Sequence, residues 1–341
     1  RDLFVQTLPG SESAPRFHRL FRDFLRERWQ HELPERERKI LLGRIARYWT
    51  KRGEASRAVR VLVAAGAVGE GVRLFDRKAA TDRSVDLSLL PVAVELLRRA
   101  GSDVAVVSPW VRSHAGLQLR NEGKSEEALQ LWRTAQDEFL ALGEFRAATH
   151  TFRMEAVTAV MTGRHLDSIR RAQELLRRLP AGELAARGLV ASEIGNLWLH
   201  AGETKQAGRV LVEAERLLRD VRLPVELSEV ALRQATIAYV EGRWDEYLQV
   251  AQRGLAAFRR AGLYTRLQSL LNNMANACVY LGEEDRALPY LDEAASLRTL
   301  SGQPTNQAHL WTTRGRALSD LRKFAEAKRA FGEVRRLLGS Y

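Results

Sequence analysis

Cysteine is nearly missing from this chain: Cys278 is the sole example in 341 residues. No disulfide framework can form, and such usage suits a reducing compartment, which points to the cytoplasm. Uninterrupted apolar runs of about 20 residues are also missing, and no charged-then-apolar leader opens the chain, so neither a membrane span nor a secretory signal is expected. There is no G-x-x-x-x-G-K-[ST] loop to cradle a triphosphate. Zinc-finger spacing and RNA-reading aromatic motifs are missing as well, so direct reading of nucleic acid is not expected. Lysine is scarce, with seven against 47 arginines. The chain opens on Arg1 rather than Met, as an excised fragment would.

What is present is charge, and its sign is uneven. The net charge is +12 and the isoelectric point about 10.3. Arginines scattered among acids on helix faces read as solvated surface, and an arginine bias of this kind often follows from a GC-rich genome. The densest stretch, Arg16 to Arg52, is also suited to an acidic partner such as DNA held by another part of the molecule. His114, His150, His165, His200 and His309 are dispersed, without the i, i+4 partner or His/Cys/Asp grouping that a metal needs, so no metal site is expected. Glu126, Glu127 and the run Glu283, Glu284, Asp285 fall where second helices begin, where acids favour the positive end of the helix dipole. Neither histidines nor acids form a catalytic constellation, and the chain is not read as an enzyme.

The strongest pattern is repetition. Gly123, Gly163, Gly202, Gly242, Gly282 and Arg322 follow one another at steps of 39 or 40 residues. A fixed period of this length marks a solenoid of one supersecondary unit, and such an array escapes the size limit of a single core because each repeat contacts only its neighbours. Small residues recur seven positions before each ladder residue: Gly116, Ala156, Gly195, Ala235, Ala275 and Gly315. Others recur five after it (Ala128, Ser168, Ala207, Ala287, Ala327), as close helix approach requires. Large residues such as Trp132, Leu211, Leu291 and Phe331 are expected to fill the gap between successive hairpins. The fourth repeat is irregular, with Tyr247 and Gly254 at two small positions, and a local opening or kink of the stack is expected there. Cys278 falls on the first helix of the fifth repeat, where an inert core role is expected.

The small-large-small phrases "GLQLRNEGKSEEALQLWRTA", "GNLWLHAGETKQAGRVLVEA" and "ANACVYLGEEDRALPYLDEA" resemble the tetratricopeptide repeat (TPR), with Trp311 in the leading position of the last repeat. The period exceeds the usual 34 residues by about six, and longer helices in each hairpin would account for it. The expected fold is all-α: a TPR-like helical-hairpin superhelix of about six hairpins over residues 103–341, a helical connector over 34–102, and a short winged-helix remnant over 1–33.

That remnant is read from "LFVQTL" as a short strand at residues 3–8, the turn-rich "PGSESAP", and an amphipathic helix carrying Leu20, Phe21, Phe24 and Leu25 on one face until Leu33 and Pro34. The run "RFHRLFRDFLRERW", followed by "IARYWTKRGEASRAVRVLVAAGAVGEGVRLF", resembles the junction in large bacterial transcriptional activators of the MalT-like, LuxR-associated STAND ATPase family. The resemblance implies an upstream nucleotide-binding domain, a downstream helix-turn-helix domain and, here, the regulatory middle. By the same resemblance His18 corresponds to the winged-helix histidine that senses the phosphates of bound ADP in the parent, while Arg19 stands where related proteins carry an acid. ATP or ADP is then a cofactor of the parent, and none is expected in this chain.

In a TPR-like superhelix the first helix of each hairpin lines the concave side. Counting back from the ladder gives the groove candidates Arg153, Asn196, His200, Tyr239, Asn272, Asn276, Tyr280, His309 and Arg316, with Arg120, Asn121 and Thr312 at comparable positions. Asparagine is a poor helix former, so Asn272, Asn273 and Asn276 in one helix need a reason. Either they line a polar groove for a sugar or a peptide backbone, or they link neighbouring helices as in ordinary repeats. Trp244 and Trp311 read as packing, and Trp198 lies beside the groove. The implied function is a sensor that binds a small-molecule inducer, such as an oligosaccharide, contacts the parent's ATPase domain and self-associates. The alternative is a TPR scaffold that holds a peptide or partner protein.

Overall fold

The computed structural model describes residues 5–6, 16–17, 27–28, 33–81, 86–100, 107–297 and 304–339. The chain divides into two compact units, Arg1–Phe139 and Leu140–Tyr341. The sequence-based boundaries at 33 and 102 both fall within the first unit.

At the start of the first unit, β1 (Val5–Gln6) pairs antiparallel with β2 (Arg16–Phe17), with Val5 opposite Phe17. Arg16 and Phe17 therefore belong to a strand and not to the helix read from that point. Glu27 and Arg28 are helical, and His18, Leu20, Phe21, Phe24 and Leu25 lie outside the described residues. Helices α1 (Glu35–Lys51), α2 (Ala55–Ala64), α3 (Val68–Thr81) and α4 (Leu90–Ala100) follow. Val59, Phe75, Leu89, Val92 and Leu96 bury completely between them. Then α5 (Pro109–Asn121) and α6 (Ser125–Ala141) form the first hairpin. Ser108 caps α5 by accepting from the Val111 amide and donates its own hydroxyl to Asp76 of α3, which ties hairpin to connector.

The second unit holds five further hairpins. They are α7 (Phe145–Met161) with α8 (His165–Arg178), α9 (Leu184–His200) with α10 (Thr204–Asp220), and α11 (Pro224–Val240) with α12 (Trp244–Arg260). The last two are α13 (Tyr264–Tyr280) with α14 (Glu284–Ser296), and α15 (Pro304–Asp320) with α16 (Phe324–Leu338). From α9 to α13 every helix has 17 residues and every turn three, so the 40-residue period is two 20-residue halves. Longer helices do account for the excess over 34.

The glycine ladder terminates the first helix of each hairpin. Gly123, Gly163, Gly202, Gly242 and Gly282 have φ of +81°, +72°, +79°, +77° and +72°, and Arg322 adopts +56° in the same place. The amide after each ladder residue reaches back to a carbonyl five residues earlier, as in Glu203 to Trp198, Glu283 to Cys278 and Lys323 to Leu318. This is the Schellman cap, which glycine fits because it has no Cβ to clash in the left-handed region. A second ladder, unread in the sequence, closes the other half-period at Gly143, Arg222 and Gly262.

Large residues pack within their own hairpins as well as between them: Leu211 shares a core cluster with Val230 of the next hairpin, and Leu291 with Leu310 of the next. A Cβ on Gly116 would lie 2.6 Å from Trp132, one on Gly195 2.5 Å from Leu211, and one on Gly315 2.6 Å from Phe331. Each glycine thus receives the large side chain 16 residues later on the facing helix, while the second and fourth hairpins set Ala156 and Ala235 at the same register as Ala172 and Ala251. Trp132 is fully buried and its indole donates to the Ser113 carbonyl at 2.9 Å. Tyr247 is buried within α12, which runs on to Arg260, and its hydroxyl bonds Asn273. Gly254, at the other irregular position, admits Leu232 at the distance a Cβ would need. Cys278 is buried completely, and burial pushes its thiol up.

A candidate ligand-binding face on the first helices

In the second unit the first helices α7, α9, α11, α13 and α15 share one face, and polar side chains cross-link all five. The chain of contacts has two stretches. One is ionic and the other is built from amides and aromatic rings.

The ionic stretch begins at Arg153 of α7. Its Nε lies 3.4 Å from Glu193 of α9 and its Nη2 donates to Glu229 of α11 at 3.1 Å. Arg233 of α11 donates to the same Glu193 carboxylate at 2.8 Å and to the Ser192 hydroxyl at 2.5 Å. Arg266 of α13 pairs with Glu229. Arg153 thereby spans from the second hairpin to the fourth, beyond the nearest-neighbour contacts that define a simple repeat array. The acids lie underneath, with side chains 6% and 10% exposed for Glu193 and Glu229. Burial alone would raise the Glu193 carboxyl, but Arg233, Arg153 and Arg266 outweigh it and hold the group below its ordinary value.

The second stretch joins α11, α13 and α15. The Asn276 amide donates to the Tyr239 hydroxyl at 3.1 Å, and Arg316 donates to the Asn276 carbonyl oxygen at 3.3 Å. Arg316 also sits 5.1 Å from the centre of the Tyr280 ring. Trp244, at the start of α12, stacks on Tyr280 with centroids 4.6 Å apart and meets the Tyr239 ring edge-on at the same separation. Burial, with help from Tyr280, raises the Tyr239 phenol, so it remains a neutral donor and acceptor across the physiological range. Tyr280 is half exposed.

Of the sequence candidates, Tyr239, Asn276, Tyr280 and Arg316 therefore converge, and Arg153 enters the ionic stretch. Asn196 is half-buried, and His200 and His309 are exposed. His200 nonetheless has partly buried surroundings, and desolvation with the nearby His165 and Arg233 charges lowers its pKa. Asn272 has a buried carbonyl oxygen without a hydrogen-bond partner. In the first unit Arg120 donates to Asn121 at 3.3 Å, and burial lowers its guanidinium.

Sequence reasoning passed over Glu193, Glu229, Arg233 and Arg266, and it gave Trp244 only a packing role. A signal was available for two of them. Glu193 and Arg233 stand nine residues before their respective ladder glycines, so opposite charges occupy one register in successive repeats. Asn276 and Arg316 share a register in the same way, six residues before theirs. Among the described residues there is no group of three His, Cys, Asp or Glu side chains placed for a metal ion, and no helix is long and apolar enough to cross a membrane.

The fold and this face define a TPR-like helical-repeat protein. The apo quorum sensor NprR from B. thuringiensis is similar with a TM-score of 0.59 at 15% identity, covering 94% of this chain and 92% of its own. Aspartyl phosphate phosphatase F from Bacillus subtilis is similar with a TM-score of 0.53 at 10% identity, covering 84% and 93%. A STAND protein with a tetratricopeptide repeat sensor from Pyrococcus horikoshii has a TM-score of 0.47 at 13% identity, covering 99% of this chain and 57% of that one. No protein-family model and no curated protein matches the chain.

Proposed function

We propose that this chain is the regulatory sensor region of a STAND-type transcriptional activator of the MalT-like, LuxR-associated kind, and that the first-helix face binds its inducer. The observation that carries the binding reading is the Tyr239, Asn276, Tyr280 and Arg316 cluster, in which one amide touches three successive first helices. A ligand that takes over the Asn276 amide meets three repeats at once. Binding there favours one arrangement of those repeats over another, which is the differential affinity a switch requires. The activator reading rests further on the "RFHRLFRDFL" junction and on the antiparallel β1–β2 pair beside it, taken as the remnant of a winged helix. Any nucleotide belongs to the parent's ATPase domain, and this chain is assigned no catalytic step.

Amides, phenols and a stacked indole suit a neutral polar ligand such as an oligosaccharide. The scaffold reading draws on the same cluster, since the Asn276 amide and the Tyr239 and Tyr280 phenols can equally hydrogen-bond a peptide backbone. Thermal shift of the full chain with maltotriose, longer oligosaccharides and short peptides separates the two. The inducer reading expects a sugar-dependent rise in melting temperature that Asn276→Ala and Tyr280→Ala abolish. A rise with peptides alone supports the scaffold, and a sugar response unaffected by both substitutions overturns the site. The activator assignment is tested by the flanking coding sequence, where a phosphate-binding loop upstream and a helix-turn-helix downstream are expected.

A further inference from the structure

In the ionic stretch the guanidiniums in direct contact outnumber the carboxylates they contact. Three guanidiniums, from α7, α11 and α13, contact two carboxylates. Their placement is layered: the acids are at most 10% exposed, whereas the side chains of Arg153, Arg233 and Arg266 are 25%, 14% and 35% exposed. The acids are thus the more deeply buried partners, and the arginine side chains remain partly exposed above them. Each carries five N–H donors in a planar fork, more than the two carboxylates and the Ser192 hydroxyl can accept.

We infer that Arg153 and Arg266, which converge on Glu229 from opposite neighbours of α9 and α11, form with Arg233 a binding site for a small anion bearing carboxylate or phosphate groups. A bidentate acceptor fits the guanidinium fork, and charge-assisted bonds of this kind are the strong ones in a half-buried setting. Electrostatics agree with the geometry. Burial and the repulsion of Arg153 pull Arg266 down to about 10 despite the attraction of Glu193 and of Glu226 in the first turn of α11. The inference goes beyond the amide and aromatic site, and it does not depend on that site being occupied.

The test is isothermal titration of the full chain with citrate and, separately, with inorganic pyrophosphate at matched ionic strength, with maltotriose as the neutral comparison. Saturable binding of one or both anions is expected, and the tighter of the two identifies carboxylate or phosphate as the natural group. Arg266→Gln should weaken it at least about tenfold, the loss of one charge-assisted contact. Arg266→Lys, which keeps the charge but not the fork, should weaken it less. Glu229 retains Arg153 in both variants, so both are expected to fold, which circular dichroism checks; should the Gln variant unfold, Arg153→Lys and Arg266→Lys decide. Arg219→Gln, which removes an exposed charge paired with Glu215 on α10, should leave binding unchanged. Absence of saturable binding by both anions, or equal binding by wild type and Arg266→Gln, overturns the inference. A maltotriose response without an anion response would leave the sensor proposal standing and remove only this site.

Discussion

The two stretches of the first-helix face solve one geometric problem with different chemistry. In each, a single side chain reaches three successive first helices: Arg153 ties α7 to α9 and α11, and Asn276 ties α13 to α11 and α15. The difference lies in what remains when the tie is cut. Removing a buried carboxylate leaves clustered guanidiniums without the charge that balances them, whereas removing an amide leaves a neutral phenol and one guanidinium that water can serve. The ionic stretch is therefore the rigid part, and the amide and aromatic stretch is the part that can exchange partners.

The largest expected effect tests that contrast directly. Glu193→Ala should destabilise the protein by about 3–5 kcal/mol, the usual cost of breaking a buried ion pair from one side. Asn276→Ala should cost about 1 kcal/mol, a typical net hydrogen bond. Urea midpoints measure both, and equal losses would erase the distinction between the stretches. Next comes the packing beneath them. Gly195→Ala, beside Glu193, drives a Cβ to 2.5 Å from Leu211 and should cost about 1–3 kcal/mol. Adding Leu211→Ala should return part of it, since the second and fourth hairpins already carry an Ala–Ala pair. Ala275→Gly, beside Asn276, removes no clash and should cost only about 0.5–1 kcal/mol.

A pH titration separates the stretches by their protons. The folded Glu193 pKa lies below its unfolded reference of 4.5, so the unfolded chain takes up the proton more readily. The stabilisation is fully present above that reference and is lost as pH falls through the lower folded value. Melting temperature between pH 3 and pH 7 should fall more steeply at the acid end in wild type than in Glu193→Gln, while Asn276→Ala should keep the wild-type slope. The smallest effect concerns the turns. Arg222→Gly and Arg322→Gly, at φ of +53° and +56°, should each stabilise by up to about 1 kcal/mol. Arg222 precedes α11 and Arg322 follows α15, and similar gains would show that the turns are indifferent to the helices they connect.

Much of the fold was legible because its signals are local. A glycine at a helix end reports the φ its own residue must adopt, and the register was plain enough that Arg322, not a glycine, was still placed in the ladder. The second ladder is weaker in the sequence because Arg222 interrupts its glycines. Four of the nine groove candidates converge because position on a helix decides which face a residue takes. Asn273 illustrates the limit: one helix position from Asn272, it serves Tyr247 of the preceding hairpin instead of the face.

By itself, the sequence determined the helices, their 40-residue period, the caps and the small positions, since each depends on backbone preference and side-chain volume within one hairpin. It held a partial clue to the cross-links, because residues of equal register in successive repeats lie side by side, as Glu193 and Arg233 do. Only the tertiary structure decided that Arg153 reaches Glu229 across an intervening helix, and that Trp244 stacks on Tyr280. Those contacts depend on the angle and spacing between hairpins, which many side chains set together and no single motif encodes.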